Sequence, residues 1–184
     1  MGINFSMKEK FIEFYMDVAR RAASMSYAKK LKVGAVLVKN DNIISWSYNG
    51  SPAGWDNNCE EKVWMPHDAN QTFTISEIAE TWPYEAYSDY SNSDGIFPVI
   101  GRYYLKTKPE VAHAEENLIM KLSRSHESAE GSTLFVTHNP CFVCSRLIYG
   151  SGIKKVYYES DYRDSSGIQF LLDCGVEIEK YGRK

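Results

Sequence analysis

The chain has 184 residues, of which 43% are hydrophobic and 24% charged, and its formal net charge is −3 at pH 7. This length is sufficient for one well-buried domain and short for two, so we predict a single domain over residues 1–184. No apolar run approaches the roughly 20 residues that cross a bilayer, and the N-terminus lacks the apolar core of a signal peptide. We therefore expect a cytoplasmic protein without a membrane partner. The sequence also lacks a dense stripe of Lys and Arg, which argues against a nucleic-acid partner.

The N-terminal part of the chain predicts a helix followed by a hairpin. Apolar residues recur there at three- and four-residue steps, and Ser6 with Glu9 can form a capping box, which together predict a helix over residues 7–29. Two β-branched runs follow, at residues 33–39 and 43–48. The residues between them tolerate the left-handed conformations of tight turns, so we predict an antiparallel pair of strands.

The stretch at about 51–108 has no clear periodicity and is rich in aromatic and acidic residues. A connection of this length inside a compact domain is usually functional or has structure of its own. We interpret it as an insertion that forms a lid or a subunit contact. Simple elaboration of the surface is an equally open interpretation.

The C-terminal part alternates helices and strands. The predicted elements are helix 114–125, strand 133–137, helix 141–149, strand 154–158, helix 166–173 and strand 176–179. Strands that alternate with short helices imply right-handed crossovers and a parallel portion of sheet. Together with the hairpin, this pattern predicts an α/β fold, a three-layer helix/sheet/helix sandwich around a mixed five-stranded sheet.

His113 and Glu115, followed by Cys141 and Cys144, form the pattern H-x-E and then P-C-x-x-C. Imidazole and two thiolates suit zinc, and three protein ligands on a tetrahedral ion leave the fourth position for water. Two cysteines three residues apart share one side of a helical first turn, whose positive end favours thiolate. The pattern predicts one catalytic zinc ion per chain. Taken singly, the two cysteines could be a redox pair or half of a structural zinc knuckle, and the histidine could be an ordinary core residue.

Four stretches together resemble the deoxycytidylate (dCMP) deaminase family, in particular its phage-type members, within the cytidine deaminase-like superfamily. They are 33–36, 48–54, 113–117 and 140–144. The metal motif is the signature of zinc deaminases in general. The segment Tyr-Asn-Gly-x-Pro-x-Gly after the second strand narrows the resemblance to enzymes of nucleoside monophosphates.

The resemblance implies a cytidine deaminase-like fold and the hydrolysis of dCMP to dUMP and ammonia, which supplies thymidylate synthesis. It implies that His113, Cys141 and Cys144 bind Zn²⁺ and that Glu115 carries protons. Asn49 is implied to contact the 3′-hydroxyl of the sugar, although Asn-Gly is also an ordinary turn dipeptide. The resemblance further implies a homo-oligomer, such as a hexamer, that is activated by dCTP and inhibited by dTTP.

Two further residues are candidates for substrate binding. Tyr157 and Tyr158 end a predicted strand, where one ring could stack on the base; strand alternation sends the two to opposite faces, so at least one is ordinary packing. We take Tyr158 as the candidate. Arg163 is a candidate phosphate ligand because a dianion needs a donor such as Arg. An exposed loop arginine is also commonly just solvated.

Other functions remain open at this stage. The chain could deaminate a 5-modified dCMP or another cytosine or adenine substrate, or it could be a non-catalytic, zinc-containing nucleotide-binding protein. Glu115 argues against the last hypothesis, because a structural metal site has no need of a proton carrier. The cysteines that some phage relatives use for a second, structural zinc before residue 33 are absent. Cys59 and Cys174 are expected to be free thiols.

Overall fold

The computed structural model describes residues 7–64, 103–162 and 164–182, together with the backbone of 84–87 and 99–102. The chain divides into two compact units. The first unit combines Met1–Asn57 with Glu110–Lys184, and the second is Asn58–Pro109. The second unit coincides with most of the insertion predicted at about 51–108. All residues of the metal motif lie in the first unit.

The described elements follow the alternation expected from the sequence. In chain order they are α1 (Glu9–Ala23), β1 (Gly34–Lys39), β2 (Asn42–Tyr48), β3 (Glu60–Trp64), β4 (Tyr84–Tyr87), β5 (Val99–Thr107), α2 (Ala114–Leu122), β6 (Thr133–His138), α3 (Phe142–Gly150), β7 (Lys155–Ser160), α4 (Ser166–Asp173) and β8 (Glu177–Lys180). The first unit contains one five-stranded sheet in the order β2-β1-β6-β7-β8. The second contains a three-stranded antiparallel sheet in the order β3-β5-β4.

The five-stranded sheet is mixed, which confirms the prediction. β1 pairs antiparallel with both β2 and β6, whereas β6, β7 and β8 run parallel to one another. Parallel neighbours need crossover connections, and α3 and α4 supply them. The loops that follow β6 and β7 therefore emerge at the same edge of the sheet, which is where sites form in open α/β sheets.

Strand alternation divides the hydrophobic core between the two faces of the sheet. Val36, Phe135 and Tyr157 point to one face and pack with the buried side of α1. Their chain neighbours point to the other face and pack with α2, α3 and α4. Of the helices that the structure describes, one covers one face and three cover the other, which gives the predicted three-layer sandwich and confirms the fold class.

An aromatic cluster fixes α1 against the sheet. The Phe135 ring stacks on that of Tyr157, with centroids 5.1 Å apart and 11° between the ring planes. The ring centroid of Tyr15, on α1, lies 5.1 Å from that of Phe135. Aromatic pairs at this separation stabilise the packing beyond the area that they bury.

The predicted first helix is too long. It ends at Ala23 rather than at residue 29, because serine side chains take over the hydrogen bonding of the backbone. The hydroxyl of Ser24 donates to the Arg21 carbonyl over 2.7 Å, and that of Ser26 accepts the Ala28 N–H over 3.1 Å. The predicted capping residue Ser6 lies outside the described residues. No helix within them is both long enough and apolar enough to cross a membrane.

The helix predicted over 114–125 also ends early, at Leu122. Ser123 and Ser125 each donate a hydroxyl hydrogen bond, over 2.8 Å, to the carbonyl three residues earlier. These bonds satisfy carbonyls of the last turn and let the chain leave the helix. The remaining boundaries in the first unit agree with the prediction to within a residue or two, which is the usual uncertainty of helix and strand ends.

We predict that Phe135→Ala lowers the free energy of unfolding by about 3–5 kcal/mol, because deletion of a buried ring leaves a cavity. Phe135 is 0% exposed, whereas Phe14 is 53% exposed. Phe14→Ala is the matched control and should cost less than about 1 kcal/mol. Urea unfolding followed by circular dichroism measures both. Equal losses in the two variants would contradict the packing described here.

Candidate active site

Two helices of the first unit begin side by side. The carboxyl end of β6 leads through Asn139 and Pro140 into α3, whose N-cap is Cys141 and whose first turn contains Cys144. Pro140 lies one position before the N-cap, so its missing N–H removes no hydrogen bond from the helix. His113 is the N-cap of α2. The histidine and both cysteines of the metal motif are thus presented by helix N-termini.

Hydrogen bonds to the end of β2 hold α2 in this position. Gly50 and Ala112 form a two-way backbone bridge in which both N–H groups donate over 3.1 Å. The side-chain amide of Asn117 donates to the carbonyl of Tyr48 over 2.9 Å. These contacts place His113, which follows the bridge directly, at the edge where α3 begins.

The three donor atoms are arranged as a tetrahedral zinc ion requires. The Nδ1 atom of His113 lies 3.6 Å from the Cys141 Sγ and 3.4 Å from the Cys144 Sγ, and all three atoms lie within 4.8 Å of one another. Zinc binds sulfur at about 2.3 Å and nitrogen at about 2.0–2.1 Å, so a tetrahedral angle separates two such donors by about 3.6 Å. Among the described residues, this is the one group of His, Cys, Asp or Glu side chains so arranged.

Hydrogen bonds among the three side chains shift their pKa values. Cys144 is buried, Cys141 half-buried and His113 exposed. The hydrogen bond to the Cys141 sulfur raises the pKa of His113 to about 9. Hydrogen bonds from Cys144 and then from His113 lower the pKa of Cys141 to about 4, while the bond to Cys141 raises the pKa of Cys144. A metal ion displaces such protons when it binds, so the donor set is suited to zinc.

Glu115 lies in the first turn of α2 and is only 4% exposed. Burial raises the pKa of its carboxyl group to about 7, against the opposing effects of its own backbone N–H and of His113. A carboxyl group with a pKa near neutrality can accept and return a proton efficiently. Its place beside the donors suits it to proton transfer at this site.

The side chain of Asn49 is bonded to the segment that precedes β1. Its Oδ1 accepts the N–H of Val33 and its Nδ2 donates to the carbonyl of Leu31, each over 2.8 Å. An amide has two donor hydrogens and two acceptor lone pairs, so one of each is left after these two bonds. Asn49 directly precedes Gly50, whose backbone bridge brings it close to His113.

Of the other two predicted substrate contacts, only Tyr158 is among the described residues. Tyr158 is 8% exposed and belongs to the core cluster on the face covered by α2, α3 and α4, which is the side of the donors. Tyr157 faces α1, so the expected division of the two rings is confirmed. Arg163 lies outside the described residues.

Asn139 is a supporting residue that the sequence analysis did not identify. It is 4% exposed, its Oδ1 accepts the N–H of Tyr162, and its Nδ2 donates to the Asp164 carbonyl over 3.0 Å. It thereby ties the loop after β7 to the residues that lead to Cys141. An Asn-Pro pair in the sequence indicates a turn, but it carries no information about which distant backbone groups the amide will bind.

Comparison with known proteins agrees with this geometry. The family model of the cytidine and deoxycytidylate deaminase zinc-binding region matches residues 9–160, which include all three donors. The deoxycytidylate deaminase of Enterobacteria phage T4 is 30% identical over an alignment of 187 positions, which covers 92% of this chain and 89% of the relative. That of Mycobacterium phage D29 is 32% identical over 149 residues, with coverage of 81% and 94%.

A similar chain is also known among solved structures. The dCMP deaminase of cyanophage S-TIM5, solved in complex with dCMP and dUMP, is 36% identical and superimposes with a TM-score of 0.69. The match covers 96% of this chain and 100% of the cyanophage chain. The similarity therefore extends over the whole fold and is not confined to the metal motif.

We predict that Cys141→Ala abolishes stoichiometric zinc binding. Loss of a partner outside the ligand shell typically weakens metal binding 10–100-fold, so loss of a direct ligand should exceed about 100-fold. Cys174→Ala is the matched control, since Cys174 is also a free thiol of the first unit but lies outside the donor group. Elemental analysis after gel filtration measures zinc per chain. A Cys141→Ala variant that retains one zinc would show that Cys141 is not a ligand.

Proposed function

This chain belongs to the cytidine and deoxycytidylate deaminase family, and we propose that it hydrolyses dCMP to dUMP and ammonia. The chain is a deaminase, and the convergence of one histidine, two cysteines and a buried carboxyl group at two helix N-termini is the observation that carries the proposal. The names of the phage relatives and the nucleotides in the cyanophage structure support dCMP as the substrate. Such a product would supply thymidylate synthesis.

Zinc is the proposed cofactor, with one ion per chain. His113, Cys141 and Cys144 would hold it, since their donor types and separations fit its tetrahedral coordination. A zinc ion in this place would lower the pKa of a water molecule towards about 7 and so supply hydroxide near neutral pH. The positive ends of two helix dipoles would help to keep the sulfur ligands ionised.

Glu115 is the proposed proton carrier. Its carboxylate would accept a proton from the attacking water and deliver it to N3 of the cytosine ring as oxygen adds to C4. It would then take the remaining hydroxyl proton and pass it to the amino group, which leaves as ammonia while the C4 carbonyl forms. In both transfers Glu115 would accept a proton from oxygen and release it to nitrogen, and a pKa of about 7 suits both halves of each transfer.

Three residues are proposed to hold the substrate. The remaining amide hydrogen and lone pair of Asn49 would bind the 3′-hydroxyl of the sugar, beside the backbone bridge that precedes His113. Tyr158, on the donor side of the sheet, would contact the base. Arg163 would bind the phosphate; it is proposed because its chain neighbours Tyr162 and Asp164 are tied to Asn139 next to the metal motif.

The proposal extends to assembly and regulation. The resemblance of the sequence motifs to the family supports a homo-oligomer with dCTP as activator and dTTP as inhibitor. Effectors of this kind act by binding one conformation of the enzyme more tightly than another.

We predict that the zinc-loaded protein releases ammonia from dCMP with a kcat/KM at least roughly 10-fold above that for deoxycytidine, because phosphate contacts are charge-assisted. The Glu115→Gln variant tests the proton carrier, because it keeps the shape of the side chain and removes its acid–base function. It should keep zinc and lose about 10²–10⁴-fold in kcat. Ammonia release, with product mass, is measured on dCMP, 5-methyl-dCMP, dCTP and deoxycytidine. Equal turnover of dCMP and deoxycytidine would contradict the phosphate assignment, and full activity of the variant would remove Glu115 from the mechanism.

For regulation, we predict that dCTP lowers and dTTP raises the dCMP concentration at half-saturation, by about fivefold or more if the coupling is typical. Saturation curves are recorded with each effector and with neither, and light scattering gives the mass of the assembly under the same conditions. Deoxycytidine triphosphate without metal-loaded enzyme is the background control. Curves that superimpose would contradict regulation by these nucleotides.

A further inference from the structure

We propose that Gly167 is a positioning residue of the metal site, which keeps Cys141 in the geometry that binds zinc because it has no side chain. The inference rests on the proposed function in so far as the His-Cys-Cys group holds a metal. Gly167 lies in the first turn of α4, 26 positions along the chain from Cys141, and belongs to no motif in the sequence. In space it touches the segment that introduces the cysteine.

The contact leaves no room for a methyl group. A Cβ atom on Gly167 would lie 2.9 Å from the carbonyl carbon of Cys141 and 2.6 Å from the Oγ of Ser145, and it would collide with the carbonyl oxygen of Pro140. Real Cβ atoms essentially never approach other heavy atoms within 3.0 Å. Two of the three obstacles are backbone atoms, which cannot rotate away as the end of a flexible side chain could.

Backbone conformation does not explain the glycine. Among the glycines that the structure describes, those with positive φ are Gly54, Gly131, Gly152 and Gly175, and Gly167 is not one of them. An L-residue could therefore adopt the backbone of Gly167, and alanine is the better helix former. Close approach of α4 to the loop before α3 is what requires glycine at this position.

The surrounding contacts direct any displacement towards the metal ligand. On one side, Asn139 holds the loop before α4 through the N–H of Tyr162 and the carbonyl of Asp164. On the other, the rings of Phe142 and Phe170 meet with centroids 5.3 Å apart, which joins the two helices beyond the contact. Both helices are thus tied on either side of the contact.

The peptide that yields is therefore the one that a Cβ would strike, between Pro140 and Cys141. The carbonyl of Cys141 lies in the next peptide, where its carbon is also struck, and it accepts the N–H of Ser145 over 2.9 Å. The obstructed backbone therefore leads directly into the first turn of α3. A shift there moves the Cys141 sulfur relative to Cys144 and His113. Metal sites are sensitive to such changes, since partners outside the ligand shell commonly contribute 10–100-fold to affinity.

The test is zinc affinity in Gly167→Ala, measured by competition with a chromogenic chelator. The matched control is Gly150→Ala at the end of α3, where an added Cβ would meet nothing within 4 Å. We expect zinc binding to weaken about 10–100-fold in Gly167→Ala and to stay unchanged in Gly150→Ala. Wild-type zinc affinity in a folded Gly167→Ala variant would overturn the proposal.

Cobalt supplies a second readout that a general loss of stability would not alter. With Co²⁺ in place of zinc, the thiolate-to-cobalt and d–d bands report the ligand geometry. We expect these bands to shift or weaken in Gly167→Ala at saturating Co²⁺ and to match wild type in Gly150→Ala. Unchanged bands at saturation would mean that Gly167 supports the fold alone, which overturns a positioning role.

The double variant Ser145→Ala/Gly167→Ala keeps the question open to experiment if the single variant does not fold. The Ser145 hydroxyl is buried without a hydrogen-bond partner among the described residues, so its removal should be tolerated. It relieves one obstacle and leaves the two backbone obstacles, so zinc affinity should remain low. Full recovery of affinity would overturn the mechanism through the Cys141 peptide. Because no substrate is involved, these results stand apart from the dCMP assay: wild-type inactivity would contradict the proposed function and leave the role of Gly167 intact.

Discussion

The backbone bridge between Gly50 and Ala112 is the contact on which the site depends. It joins the end of β2 to the residue before His113, so that a helix arriving from a distant part of the sequence starts beside the helix that follows β6. The cysteines are placed by the sheet itself, since they follow the carboxyl end of a central strand. The histidine and Glu115 are placed by this bridge. The arrangement of the donor atoms is therefore a property of the tertiary structure that neither motif specifies alone.

The arrangement also creates a local field opposite to the charge of the whole chain. The net charge is −3, yet the donors stand at two helix N-termini, each equivalent to roughly half a positive elementary charge. Backbone dipoles thus favour the ionised form of the cysteine sulfurs. Burial of the Glu115 side chain beside these donors raises the pKa of its carboxyl group to about 7. Fold and proton chemistry are consequently set by one packing arrangement.

Much of the first unit could be predicted from local sequence signals, and the failures have physical causes. Alternating apolar runs predicted the sheet because strand side chains have a period of two, and Pro140 with two cysteines predicted a helix start. The end of α1 was missed because helical periodicity continues past Ala23, whereas serine hydroxyls end the helix. Asn139 and Gly167 were missed because their partners lie more than 20 residues away, and contacts of that range leave no periodic trace.

The loops after β6 and β7 are neighbours in space and have different roles. The first introduces the cysteine donors, and the side-chain amide of Asn139 fastens the second to it. The loop after β7 can therefore change in sequence while the donors stay in place, provided that Asn139 still finds an N–H and a carbonyl to bind. One buried carboxamide thus lets the sequence of this loop vary independently of the donor group.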